Sequence, residues 1–344
     1  MLRKLTGPGQ FRLFLALVVF VHHTTRLAFG SCAVYIFFSL SGFWIYRMYT
    51  GRYASTRQPY LTYFISRLWR LLPTFWLISL VTLAYLYWNG MLAASYRANN
   101  HWHFIVSNCF LLGYDKLHIQ PIVPAWSLDL EMQFYLIAPL LAILLARRII
   151  PASVLLVMVA AVSGASAVLD GYVRLLSCLI FFVMGMTAAS SDWRPSRKLA
   201  AWSVAVTLLL IVVCFASPWR GVLLLGTHRG PMAIYNPQAN VVLALLAVPF
   251  AIYTTAQKGF AFDDMFGDLS YVVYLLHWPA TMWLGSMLPM IGRYRLPATA
   301  VVYALVIGLS IVIWKFYDKP INRMRARWVK TRKKVVAMSV DASP

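Results

Sequence analysis

Long apolar segments recur along the whole chain, and they constrain its fold more than any other feature. A segment of about 20 mostly apolar residues is long enough to cross the hydrocarbon core of a bilayer. Only 12% of the residues are charged, against about 25% in a soluble domain, so the chain cannot cover a water-soluble surface. The sequence therefore predicts an all-α, polytopic integral membrane protein with about ten transmembrane helices. The ten predicted spans lie near residues 11–29, 31–49, 71–88, 131–146, 152–169, 173–190, 199–216, 238–256, 270–290 and 297–317.

The distribution of basic residues predicts the orientation of these helices. An even number of spans places both termini on one side of the membrane. With both termini in the cytoplasm, the inner segments hold roughly three quarters of the Lys and Arg residues, as the positive-inside rule favours. A net charge of +21 would suggest nucleic acid in a soluble protein. Here we expect a membrane domain over residues 1–320 and a basic cytoplasmic tail over 321–344, held to anionic membrane lipid rather than to nucleic acid.

The first span carries ionisable side chains at an informative spacing. Arg12 and His23 are eleven residues apart, which is about 20° beyond three full helical turns, so both are expected on one face. The separation corresponds to a rise of about 16 Å, which predicts Arg12 near the cytoplasmic surface and His23 at mid-depth. A neutral imidazole there suits a general base that an anionic cofactor reaches from the cytoplasm. A histidine bonded to a neighbouring helix is the alternative.

Two other segments carry charges at helix positions. Arg67 and Arg70 share a helix face at the cytoplasmic entry of the third span, where paired guanidinium groups would bind phosphates. Simple compliance with the positive-inside rule would place them there too. Glu131 is the only glutamate in the chain, expected near the outer face and one turn from Tyr135. A carboxylate that reaches water or caps the helix is the alternative.

The second and ninth spans hold polar groups with two interpretations each. Ser39, Ser41 and Gly42 permit close helix approach and interhelical hydrogen bonds, and packing explains them as well as catalysis does. His277 lies about two turns into the ninth span, shortly before Pro279, which leaves a backbone carbonyl without its helical donor. A structural histidine that meets this polar backbone is as good an interpretation as a catalytic one.

Taken in order over nearly the whole chain, these segments resemble the acyltransferase 3 family of membrane acyltransferases. The R-x10-H signature of that family is met by Arg12 and His23. One departure is that Met132 follows Glu131, where many members carry a second acidic residue. The other matching elements are Arg67 with Arg70 as the R-x-x-R pair, the Phe-Phe-x-x-Ser-Gly-like run at 37–42, the Trp-Ser-Leu-x-x-Glu-x-x-Phe-Tyr element at 126–135, and the Ser-Tyr-x-x-Tyr-Leu-x-His-x-Pro element at 270–279.

The resemblance implies O-acylation, usually O-acetylation, of a carbohydrate such as lipopolysaccharide, exopolysaccharide or peptidoglycan. It implies an enzyme of the bacterial inner membrane, without the soluble esterase-like domain that some relatives append. Acyl-CoA, most often acetyl-CoA, would be the cytoplasmic co-substrate, with no permanently bound cofactor and no metal. Direct transfer and an acyl-enzyme intermediate both stay open.

The same resemblance distributes roles over the matching residues. The implied catalytic residues are His23, Arg12, Glu131 and His277; those at the phosphates of the co-substrate are Arg12, Arg67 and Arg70; those at the acceptor are Ser41, Trp126, Tyr135 and Tyr271. The competing class is a proton-coupled exporter of a glycan or lipid-linked intermediate, because buried histidine and glutamate also serve proton relays.

Overall fold

A computed structural model describes residues 7–168, 174–224, 230–257, 259–291 and 294–333. This part of the chain is helical, and its only β-type pairings are two isolated bridges. The predicted all-α class is therefore confirmed. The α-helices are α1 (Pro8–Thr24), α2 (Gly30–Met48), α3 (Pro59–Trp88), α4 (Leu92–Ala98), α5 (His101–Phe110), α6 (Trp126–Ala146), α7 (Ala152–Val168), α8 (Arg174–Ser190), α9 (Arg197–Ala216), α10 (Asn236–Thr255), α11 (Asp263–Ile291), α12 (Arg295–Ile313) and α13 (Lys319–Thr331).

Several helices are long and apolar enough to cross a membrane, which supports a multi-pass membrane protein. Within the described ranges, the five segments that meet this standard are Pro59–Trp88, Val123–Ala146, Arg197–Ala216, Pro231–Thr255 and Leu296–Thr331. Helices also lie at the other predicted positions. Three of these, α1, α7 and α8, have 17 residues each, which rise about 26 Å against a hydrocarbon core of about 30 Å. The number of ten spans stays a prediction.

The helices α1 and α11 pack side by side and run in the same direction. At one end, the carboxylate of Asp263 accepts hydrogen bonds from the backbone N–H groups of Gly9 and Gln10, both at 3.0 Å. These N–H groups belong to the first turn of α1, where no intrahelical acceptor is available. Fourteen residues further along each helix, the ring of His23 lies against that of His277. Residues at equal distances from the starts of α1 and α11 therefore lie at the same level of the bundle.

The helices α2 and α8 approach so closely that their backbones nearly touch. A Cβ atom placed on Gly42 would lie 1.9 Å from the carbonyl oxygen of Phe182, and one on Gly185 would lie 1.8 Å from that of Ser39. No side chain larger than hydrogen fits at either contact without a shift of backbone. The close approach predicted for Gly42 is confirmed, and it anchors α2 in a fixed rotation.

Helix α13 packs against the beginning of α3. The indole rings of Trp69 and Trp328 lie 5.9 Å apart, and Val329 is buried. The backbone N–H of Arg57 donates to the carbonyl of Arg332 at 3.0 Å. Up to residue 333, the sequence predicted as a tail is thus packed onto the bundle, and residues 334–344 of that prediction lie outside the described ranges.

Segments predicted on the same side of the membrane meet at the same end of the bundle. At one end, Asp192 between α8 and α9 forms an ion pair with Arg47 of α2. Hydrogen bonds from Arg194 and Arg47 hold the pKa of Asp192 below its usual value. At the other end, the N–H of Ala28 donates to the carbonyl of Leu223 at 2.9 Å. Which of the two ends faces the cytoplasm remains a prediction from the charge distribution.

Candidate functional site

A cavity of about 60 Å³ lies where α1, α2, α6 and α11 meet. Four of the residues predicted for the site from the sequence line it together, although they come from four different helices. These are Arg12, Ser41, Glu131 and Tyr271. The other residues in the wall are Val34, Phe37, Phe38, Ser127, Leu128, Ser270 and Tyr274. The fold thus gathers a cation, a carboxylate and several hydroxyl groups around one small space.

Glu131 is held by two hydroxyl donors. Its Oε1 atom accepts a hydrogen bond from Ser41 at 2.6 Å and one from Tyr135 at 2.7 Å. Arg12 lines the same cavity, yet no ion pair joins the two side chains in the part of the chain that the structure describes. The Nε of Arg12 is buried and finds no hydrogen-bond partner among those residues. Opposite charges therefore face a shared space without neutralising each other directly.

The predicted position of Glu131 near the outer face is wrong. Its partner Ser41 lies well inside α2, and Arg12 lies in the second turn of α1, at the other end of that helix from His23. The reason is that residues 111–125 fold into the bundle instead of running over its surface. Within that stretch Leu111, Tyr114 and Ile122 are all 0% exposed, and burial raises the pKa of the Tyr114 hydroxyl. Helix α6 consequently begins at depth.

Asp129 has a separate task, two residues before Glu131. It is 0% exposed and accepts hydrogen bonds from the backbone N–H groups of Gly113 and Asp115 and from the side chain of Gln133. These contacts fix the inward-folded segment against α6. The two carboxylates therefore have different roles: Asp129 binds the backbone of the inward-folded segment, and Glu131 faces the cavity.

His23 does not line the cavity but belongs to a neighbouring aromatic cluster. Its ring stacks on that of His277 with centroids 5.3 Å apart. It also makes an edge-to-face contact with the ring of Trp278, with centroids 5.2 Å apart. Helix α1 ends at Thr24, earlier than the predicted span 11–29, so His23 occupies its last turn. The mid-depth position of His23 in the membrane stays a prediction. His23 nevertheless lies inside the bundle, since its partner His277 is 0% exposed near the middle of α11.

His277 combines both interpretations offered for it. Its Nδ1 lies 3.2 Å from the carbonyl oxygen of Val273, one turn earlier in the same helix, as a structural histidine would. Its Nε2, however, is buried without a hydrogen-bond partner among the described residues. Buried polar atoms are almost always satisfied, so this nitrogen is available to another group. The adjacent His22 instead places Nδ1 2.9 Å from the carbonyl oxygen of Leu27, where the chain leaves α1.

Tyr274 connects the cavity with the histidine pair. Its ring lines the cavity and lies 6.0 Å from the ring of His277, measured between centroids. Its hydroxyl exchanges a hydrogen bond with Ser127 at 2.7 Å. Arg12 and His23 both lie on the side of α1 that packs on α11, as their spacing predicts. Trp126 lies outside the cavity wall, 4.3 Å below the guanidinium of Arg174.

The predicted arginine pair divides into two environments. Arg70 binds Asp318 at 3.1 Å and Asp268 at 3.2 Å, so its charge is already offset. Arg67, only 7% exposed, donates to the hydroxyl of Tyr53 at 2.9 Å, a neutral partner. Of this pair, Arg67 is therefore the residue whose charge no carboxylate among the described residues offsets.

The sequence reasoning missed the two aspartates that bind Arg70. Asp318 is 2% exposed and also accepts a hydrogen bond from Thr74 at 2.8 Å. An acidic residue that directly precedes Lys319-Pro320 near the end of an apolar span was the available signal, because a carboxylate there needs a partner.

Comparisons with known proteins agree with the resemblance. The acyltransferase domain of the acyltransferase 3 family matches residues 6–315. The chain is similar to the O-acetyltransferase OatA of Staphylococcus aureus, with 22% identity over 93% of this chain and 58% of that protein. It is also similar to a protein named as a membrane-bound transacylase, BcsY of Komagataeibacter xylinus (27% identity, 80% of this chain and 72% of that protein).

A third relative is the peptidoglycan O-acetyltransferase OatA of Listeria monocytogenes, 25% identical over 73% of this chain and 44% of that protein. The chain thus spans only about half the length of the OatA relatives. No solved structure matches it.

Proposed function

This chain belongs to the acyltransferase 3 family, and on that premise we propose that it moves an acyl group, most often acetyl, from cytoplasmic acyl-CoA to a hydroxyl of a cell-surface or exported carbohydrate. The two OatA relatives are named as O-acetyltransferases, and the name of one specifies peptidoglycan. Those names support a glycan acceptor here. We further propose ten membrane-crossing helices in the bacterial inner membrane, with both termini in the cytoplasm.

The observation that carries this proposal is the stacking of His23 on His277 next to the Arg12–Glu131 cavity. A neutral imidazole inside a helical bundle keeps a lone pair on one ring nitrogen, which can accept a proton from a hydroxyl group as that group reacts. His23 takes the proton of the acceptor hydroxyl while the oxygen attacks the thioester carbonyl carbon. The C–S bond then breaks, and the leaving CoA sulfur takes the proton back from His23. His277 packs against the ring and orients it.

The cavity residues supply binding and charge stabilisation. Arg12 lies where a cation can stabilise a developing oxyanion or a phosphate. Glu131, held by Ser41 and Tyr135, fixes the acceptor by accepting hydrogen bonds from its hydroxyl groups. Tyr271 in the cavity wall and Trp126 beside it complete the acceptor site.

The test is acyl transfer by the purified protein in liposomes, with labelled acetyl-CoA and peptidoglycan fragments and without an ion gradient. The unaltered protein should transfer label to the glycan. His23→Ala should lower the rate by about 10²- to 10⁴-fold, the usual contribution of a general base. His118→Ala is the matched control, because that side chain is exposed in the segment between α5 and α6. Both variants should reach the membrane in the amount of the unaltered protein.

Three outcomes separate the alternatives. Label that stays on the protein after CoA release would indicate a covalent intermediate instead of direct transfer. Full activity of His23→Ala would remove His23 from the mechanism. Failure to use acetyl-CoA, together with gradient-driven movement of a glycan across the liposome, would favour the exporter.

A further inference from the structure

Three buried guanidinium groups near one end of the bundle lack hydrogen-bond partners for their Nε atoms. They belong to Arg12, Arg67 and Arg325, and no residue within the described ranges accepts from these nitrogens. Leaving a buried charged donor unsatisfied is costly, because water is removed and nothing replaces it. Three such donors in one region therefore indicate a ligand with several acceptor atoms.

Arg325 comes from α13, outside the matched family domain, which ends at residue 315. Its neighbours one turn away on the same face, Asn322 and Val329, both point into the bundle: Asn322 donates to buried Asp318 at 2.8 Å, and Val329 is 1% exposed. The opposite face, with Arg323 and Arg327, is exposed. Arg325 is thus the basic residue that α13 turns inward.

The position of α13 is fixed by several contacts with the segment that precedes and begins α3. Trp328 packs on Trp69, and the guanidinium of Arg52 reaches the carbonyl oxygen of Ala326 at 3.5 Å. Arg325 consequently lies close enough to Arg67 for the two positive charges to repel each other.

The three guanidinium groups lie in one region of the bundle, because Arg70 is close enough to interact electrostatically with both Arg12 and Arg325. The two aspartates at this end, Asp268 and Asp318, both bind Arg70. Across the described ranges, no carboxylate lies within ion-pair distance of Arg12, Arg67 or Arg325. The region therefore keeps positive charge that its own acidic residues do not neutralise.

We propose that Arg325 of α13, with Arg67 and Arg12, binds the phosphate groups of the acyl donor, so that α13 forms one wall of the donor site. This assignment rests on the proposed function, because it takes acyl-CoA as the donor. The fork-shaped guanidinium group suits this ligand, since it binds phosphate oxygens in pairs. The same chemistry would fit the phosphate of an anionic lipid headgroup, which the test below distinguishes.

The test measures CoA binding to the protein in nanodiscs of phosphatidylcholine, which carries no net charge. Arg325→Gln should weaken CoA binding about tenfold or more, because a buried charge-assisted contact is lost. Arg325→Lys should fall in between, since it keeps the charge and loses the fork. Arg327→Gln removes the same charge from the exposed face of the same helix and should bind CoA like the unaltered protein.

A second donor isolates the phosphate contact. S-acetylpantetheine carries the thioester and the arm without any phosphate, so Arg325→Gln and the unaltered protein should use it at equal rates. With acetyl-CoA, the variant should show a raised KM and little change in kcat. Equal losses with both donors would show that Arg325 acts only through the structure, which overturns the assignment.

Protection of the unaltered protein gives a measurement that needs no variant. CoA should slow tryptic cleavage within α13, whereas pantetheine should not. If phosphatidylglycerol slows this cleavage and CoA does not, the phosphate ligand is a lipid and the assignment fails. Absence of any CoA binding by the unaltered protein would contradict the proposed donor itself. Normal binding that Arg325→Gln leaves unchanged would contradict only the role of Arg325.

Discussion

At the scale of single residues, the two carboxylates of α6 show how neighbours in sequence acquire different roles. Asp129 accepts from two backbone N–H groups of the inward-folded segment, and Glu131 accepts only from hydroxyl groups at the cavity. A backbone acceptor is required for the local fold, whereas a cavity carboxylate is free to meet a substrate. Their replacements should therefore have opposite consequences.

Glu131→Gln should lower acyl transfer strongly and change thermal stability little, because the amide oxygen can still accept from Ser41 and Tyr135. Asp129→Asn should lower the stability of the protein by about 1–3 kcal/mol through weakened buried hydrogen bonds, while the folded fraction keeps its activity. Thermal unfolding in detergent and activity per folded molecule measure both. A stable, inactive Asp129→Asn together with an unstable Glu131→Gln would reverse the assignment.

At the scale of helices, packing contacts determine which side chains reach the site. Ser41 meets Glu131 only because Gly42, the next residue, lets α2 lie directly on α8. Helix α3 is also longer than its predicted span, since it begins at Pro59, twelve residues before the apolar segment. That added length is where Arg67 and Arg70 meet Tyr53 and the aspartates.

Gly42→Ala should destabilise the protein, because the added Cβ would lie 1.9 Å from the Phe182 carbonyl oxygen. Overpacking of this kind costs about 1–3 kcal/mol. Gly164→Ala in α7 is the matched control: its Cβ would meet nothing within 4 Å, and alanine favours the helix by roughly 1 kcal/mol. Size-exclusion chromatography after heating in detergent should show earlier loss of the first variant and no loss of the second. Equal stability of the two would contradict the close α2–α8 contact.

At the scale of the whole molecule, the helices arrange polar groups along the direction of the bundle. The basic cluster of Arg67, Arg70 and Arg325 lies at one end, the cavity with Arg12 and Glu131 follows, and the histidine pair lies beyond Tyr274. A donor whose phosphates bind at the first position would direct its acyl group towards the histidines. This order requires the basic end to face the cytoplasm, where acyl-CoA is made.

Labelling of cysteines tests that orientation. Cys109 lies beside Trp76 midway along α3, so the probe for the end opposite Arg67 and Arg70 is Asn89, which is exposed just after α3 ends. In spheroplasts a membrane-impermeant maleimide should label Asn89→Cys from outside when Cys109 is replaced by serine. Ser55 is exposed at the basic end. With Cys109 replaced by serine, Ser55→Cys should be labelled only after the membrane is permeabilised. Labelling of Ser55→Cys in sealed spheroplasts would invert the proposed topology.

The sequence by itself determined the helical class and the multi-pass membrane character, and it singled out the ionisable residues that the proposed function uses. Apolar length and scarce charge leave few alternatives in a bilayer, and the spacing of Arg12 and His23 on α1 follows from helix geometry alone. These properties are local, so they can be derived from one segment at a time.

Only the tertiary structure decided which of those residues meet. It brought Glu131 to Arg12 because residues 111–125 fold inward, gave Arg70 two aspartates, and turned Arg325 towards Arg67. Such pairings join segments up to hundreds of residues apart, and they depend on how helices pack and rotate against one another. Hydropathy and spacing within one segment contain no information about that rotation.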